Sequence, residues 1–171
     1  MDEELLSRQQ PQSLEAEQAV LGSILIDSRC ITDVVGIVKP EDFYLQQNRE
    51  IYEAIYTMFN FSQTIDPVTV LDKLKELGYY HDNSRDYILQ LMEITPTAAN
   101  VARYAAIVQE KSMLRGLNQA ATDIQQMVSE EVGTPAEMLE SAEKKIYALR
   151  KGERGDSLEH IGTCLLYTSD A

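Results

Sequence analysis

Apolar residues recur three and four positions apart along most of this chain, and nowhere do they alternate in the two-residue rhythm of a strand. The first stripe follows Ser13. Leu14, Val20, Leu21, Ile24 and Leu25 share one helical face, with Ser13 placed to cap it. Glu15 and Glu17 fall in the first turn, where the helix dipole favours acids. Gly22 interrupts this face at a cost in helix propensity, which points to a neighbouring helix passing close by. A shorter amphipathic segment carries Ile31, Val34, Val35 and Val38 and should stop at Lys39-Pro40, because the residue before proline disfavours the helix. "EDFY", Glu41 to Tyr44, reads as a turn with two aromatic anchors. Ile51, Tyr52, Ile55, Met58 and Phe59 form the next stripe. "TIDPVTVLDKLKELG" is punctuated at both ends: Asp66 caps, Pro67 fits the first turn and Gly78 terminates. Val70, Leu71, Leu74 and Leu77 face inward between them. Tyr87, Ile88, Leu91 and Met92 mark a further short helix, closed by Thr95-Pro96.

From Ala98 the pattern lengthens. Val101, Tyr104, Ala105 and Val108 lead into a heptad series of Leu114, Leu117, Ala121, Ile124 and Val128. In "EEVGTPAE", Gly133 can end one helix, while Thr134 and Glu137 have capping-box spacing around Pro135 at the start of the next. That second helix carries Leu139, Ala142, Ile146 and Leu149, and the two series together predict the seam of a helical hairpin. Met113, Met127, Val132, Met138 and Tyr147 then fall outside the seam and are the candidate contacts for another chain, because two helices alone bury only the line between them. "KGERGD" is a polar, glycine-bearing linker, after which Ser157 can cap a new helix through Leu158 and Ile161. The expected fold is all-α: a small globular helical bundle followed by a long antiparallel helical hairpin. Its expected parts are a flexible tail at 1–12, the globular subdomain at 13–97, the hairpin at 98–150, a linker with the start of a linker helix at 151–163, and residues 164–171, which break the preceding pattern.

Composition narrows the chemistry. The 171 residues include 28 acidic against 15 basic side chains, a formal charge of −13, so the chain as a whole is a poor candidate for neutralising phosphates. The short basic cluster "KSMLR", Lys111 to Arg115, reads as a solvated helix face. No apolar run reaches the length of a membrane span, and the acidic start "MDEELLSRQQ" is unlike a secretory signal, so a cytoplasmic location without membrane contact is expected. Cys30 and Cys164 have no CxxC partner, which argues against a disulfide framework or zinc site, and Cys30 reads as a small buried side chain. His81 and His160 lie in no ExxH or HExxH pattern and read as surface residues; a carboxylate-bridged metal pair in a helical bundle needs two such motifs. The chain has neither a GxxxxGK[ST] loop nor GxGxxG, so nothing cradles a nucleotide. Ser157 and Ser169 have no plausible His/Asp partners. The nine tyrosines sit mostly at apolar register, as core and interface residues do. No catalytic, cofactor-binding or metal-ligating residues are expected in this chain.

The blocks "LEAEQAVLGSILID", "EDFYLQQNREIYEAI", "TIDPVTVLDKLKELG", "YILQLMEITPTAANVARYAAIVQEKSMLRGL" and "AEKKIYALR", in this order, closely resemble the N-terminal domain of the DnaB-type replicative DNA helicases. The likeness runs from about Pro11 to about Thr163. Two places depart from the family's pattern: Asn48 stands before Arg49 where a histidine is common, and "NSRDY" stands where a glycine pair commonly precedes the tyrosine. The resemblance implies a collar on a hexameric ring built from dimer pairs, with hairpins packed on one another and primase docking on the collar. A helicase loader is a further implied partner. It also implies a separate RecA-like motor, reached through a linker helix that "SLEHIGT" resembles. That motor would use ATP and Mg, contact DNA and unwind it; it is expected to be missing from this chain. "CLLYTSDA" does not continue the linker helix, and Cys-Leu-Leu-Tyr-Thr-Ser is an in-frame translation of a transposase-based sequencing adapter, so residues 164–171 are expected to be non-native. The alternative reading is a stand-alone helical adaptor or helicase-loading accessory protein.

Overall fold

The computed structural model describes residues 10–150. The expected N-terminal tail (apart from its last three residues), the linker with Ser157 and His160, and the terminal segment with Cys164 lie outside the described residues. Among them every regular element is a helix, and contacts divide the chain after Ser112 into two compact units.

In the first unit α1 (Leu14–Ile26) begins where Ser13 Oγ accepts from the Ala16 amide. It is enclosed on most sides rather than amphipathic: Ala16, Glu17, Val20, Leu21, Gly22, Ser23, Ile24 and Leu25 are all buried. Ser23 tolerates this by donating to the Ala19 carbonyl at 2.6 Å, as a serine inside a helix must. A 3-10 turn (Ser28–Cys30) leads into α2 (Ile31–Val35), which ends earlier than Pro40 requires. The amides of Ile37 and Val38 both bond back to the Val34 carbonyl and close the turn there, so Val38 is buried from outside the helix. After a second 3-10 turn (Pro40–Asp42), only one of the two expected aromatic anchors is driven in. Phe43 is buried and stacks on Tyr52 with ring centroids 4.7 Å apart, whereas Tyr44 stays at the surface.

Three further helices complete this unit: α3 (Gln46–Asn60), α4 (Pro67–Leu77) and α5 (Ser84–Glu93). The punctuation of α4 forms as its sequence predicts. Asp66 accepts from the Thr69 amide and Thr69 Oγ1 from the Asp66 amide, both at 2.9 Å, and Gly78 closes the helix in the left-handed region at φ 77°. α1 packs on α5 and α3, and α3 on α4. At Gly22 α1 passes close to the end of α5, with the Leu91 carbonyl and Thr95 directly over it. The long helix α6 (Val101–Ser129) begins in this unit, and its Val101, Ala105 and Val108 join the core. The globular unit therefore runs past residue 97 to Ser112, whose hydroxyl donates to Asp42 at 2.7 Å.

A polar network lies inside this core. Glu17, only 2% exposed, accepts from the Tyr44 and Leu45 amides and from Asn48 Nδ2. Leu45 is the N-cap of α3 and has no side-chain oxygen, so α1 supplies the acceptor and the negative charge that the start of α3 lacks. Asn48 Oδ1 accepts in turn from the Tyr87 hydroxyl, which itself receives Gln18 Nε2 at 3.4 Å. Burial raises the pKa of the Tyr87 phenol above its ordinary value, although the hydrogen bond it receives from Gln18 opposes the shift. The sequence places Glu17 only as a first-turn acid; its larger role is to tie α1, α3 and α5 together.

Candidate interaction surface on the hairpin

The second unit comprises the distal part of α6 and α7 (135–150). The turn between them is shaped by two left-handed residues, Glu131 at φ 50° and Gly133 at φ 81°, and by the expected capping box. The Thr134 amide donates to Glu137 Oε2 at 2.9 Å, and the Glu137 amide to Thr134 Oγ1 at 3.2 Å. The two helices run antiparallel: Leu149 lies over Gly116 near one end, and Lys145 Nζ reaches Asp123 at 3.5 Å further along.

Burial shifts the seam by one residue from the line that the sequence predicts. Ala120 is buried (7% exposed), and Met113, Gly116, Asp123, Ile124 and Met127 on α6 are half-buried, as are Met138, Ser141, Ala142, Lys145 and Leu149 on α7. Of the residues expected in the seam, Ile124, Ala142 and Leu149 lie along this line. Leu114, Leu117, Ala121, Val128, Leu139 and Ile146 are exposed, the large ones from 41% at Leu114 to 66% at Leu139. Of the residues expected to face a partner, Met113, Met127 and Met138 are half-buried on the seam line, while Tyr147 (66% exposed) and Val132 stand in solvent.

Both lines on α6 satisfy the three-and-four spacing, so periodicity cannot choose between them. Backbone approach can. A Cβ on Gly116 would come within 2.6 Å of Leu149 Cδ2, so the leucine seats where the glycine leaves room, with Ala120 one turn further along. Small residues four apart are the signal that the heptad of larger side chains obscures.

The displaced leucines share one side of the hairpin. On α6 the exposed line of Leu114, Leu117, Ala121 and Val128 follows the line of Met113, Gly116, Ala120 and Met127 by one residue, a rotation of about 100°. Leu139 and Ile146 follow Met138 and Lys145 by the same step on α7. In an antiparallel pair, equal rotations in the same sense away from a shared seam bring both lines to the same face. The result is a line of exposed apolar side chains along one face of the hairpin. Its surroundings carry charge of both signs, with Glu130, Glu131 and Glu137 at the turn and Arg115 and Arg150 at the open end.

The other residues singled out from the sequence do not assemble into a site. His81 is half-exposed and its Nε2 lies 3.1 Å from Glu50 Oε2, on the globular unit. Cys30 is half-buried there, and burial pushes its thiol up to about 11. Among the described residues no three His, Cys, Asp or Glu side chains converge as metal ligands would. None of the helices among the described residues is long and apolar enough to cross a membrane.

Residues 9–110 match the family model described as the DnaB-like helicase N terminal domain. The chain is 36% identical over 143 residues to the replicative DNA helicase DnaB of Leifsonia xyli subsp. xyli, covering 83% of this chain and 31% of that protein. It is 34% identical over 176 residues to the replicative DNA helicase DnaB of Geobacillus stearothermophilus, covering 99% of this chain and 38% of that one. The chain thus spans about a third of the length of these curated relatives. The crystal structure of the N-terminal domain of DnaB helicase from Mycobacterium tuberculosis superposes with a TM-score of 0.77 at 36% identity, over 82% of this chain and 99% of that one. Family match, relatives and fold agree: this chain belongs to the family of the DnaB-like helicase N-terminal domain.

Proposed function

We propose that this chain is the N-terminal collar of a replicative DNA helicase, which self-associates through the hairpin and offers the assembled surface to primase. The observation that carries this reading is the apolar stripe of Leu114, Leu117, Val128, Leu139 and Ile146 on one face of an otherwise acidic protein. A second copy is the occupant that fits it. A two-fold axis pairs the stripe with itself, and an antiparallel arrangement brings the acidic turn of one copy to Arg150 of the other. On this reading the collar stands within a hexameric ring of dimer pairs, and a helicase loader is a further partner. ATP, Mg and DNA belong to a motor domain, for which the longer relatives have room.

The test places charge on the stripe without touching the seam. Leu117→Glu and Ile146→Glu should leave helicity by circular dichroism unchanged while lowering the mass seen by light scattering, and should weaken binding to the cognate primase. A wild-type chain that stays monomeric at high concentration would overturn the self-association, and one that assembles but shows no affinity for primase would overturn the docking role. Reading the source locus beyond Thr163 tests the motor, because an open frame there should lead to a GxxxxGK[ST] loop.

A further inference from the structure

We draw no further inference here: the strongest candidate, the groove of about 350 Å³ between the start of α1 and the α5–α6 connection, lined among others by Glu15, Gln18, Ile94, Pro96 and Tyr104, is an open depression on the globular unit, and nothing in the structure shows what covers it.

Discussion

Replacing Gly22 with alanine should destabilise this protein, although the same change in the middle of a helix ordinarily stabilises. Alanine is favoured over glycine by about 1 kcal/mol in a helix interior, so propensity alone demands a gain. At Gly22 the added methyl would fall on Thr95 Oγ1 and lie 2.5 Å from the Leu91 carbonyl oxygen. Neither obstacle can step aside cheaply. Thr95 is buried, and its hydroxyl is held by its bond to Leu91 at 2.8 Å, while the carbonyl belongs to α5 itself. Accommodating the methyl therefore means moving α5 away from α1 and opening the contact that joins them. Overpacking of this kind costs about 1–3 kcal/mol, and against rigid backbone the upper half of that range applies. The net expectation is a loss of about 1–2 kcal/mol, read as a lower urea midpoint at unchanged slope. Gly36→Ala is the internal control. That residue has right-handed backbone angles, φ −80° and ψ −11°, and a Cβ there would meet nothing within 4 Å. It should stabilise by up to about 1 kcal/mol. Thr95→Ala in the Gly22→Ala background should restore only part of the loss, because the Leu91 carbonyl remains in the way. If Gly22→Ala raises the midpoint as Gly36→Ala does, the close passage of the two helices is wrong.

Other substitutions probe the polar core, the turn and the thiol. Glu17→Ala leaves the Tyr44 and Leu45 amides and Asn48 Nδ2 without their acceptor in the interior, and should cost about 3 kcal/mol or more by urea denaturation. Glu17→Gln, which retains one carbonyl oxygen, should cost clearly less, and equal losses would refute the shared-acceptor account. Glu131→Gly should stabilise the hairpin by up to about 1 kcal/mol, since glycine enters the left-handed region without the Cβ penalty; a loss on calorimetric melting would show that the turn does not use that conformation. The Cys30 thiol, pushed up to about 11, should remain almost wholly protonated at pH 8. Its alkylation by iodoacetamide, followed by peptide mass mapping, should be slow in the native protein and accelerate in urea, where the ordinary thiol pKa returns. Equal rates in the two states at pH 8 would contradict the raised thiol pKa.

Most of the fold was legible along the chain. The capping chemistry at Ser13, at Asp66, and at Thr134 with Glu137 is local, involving residues no more than three apart, so it forms wherever the helix forms. Gly22 announced its close neighbour because a glycine inside a strong helix weakens that helix, and a tight helix-to-helix approach is what its missing Cβ permits. Helix type and order followed from apolar spacing, because 3.6-residue periodicity is a property of the segment alone.

Local chemistry thus settled the order of the helices, the capped ends and the existence of a hairpin, whereas packing chose which side chains each helix keeps and which it leaves for others. Whether α6 turns its leucines or its small residues toward α7 differs by one position, and both choices are periodic. The decision rests on how near Leu149 can come to Gly116, a contact between residues far apart in sequence. The same holds for Glu17, whose place in its own helix marks it as a first-turn acid. Its partners at Tyr44, Leu45 and Asn48 exist only after α1 and α3 have packed, and only then does a buried carboxylate hold the backbone that leads into another helix.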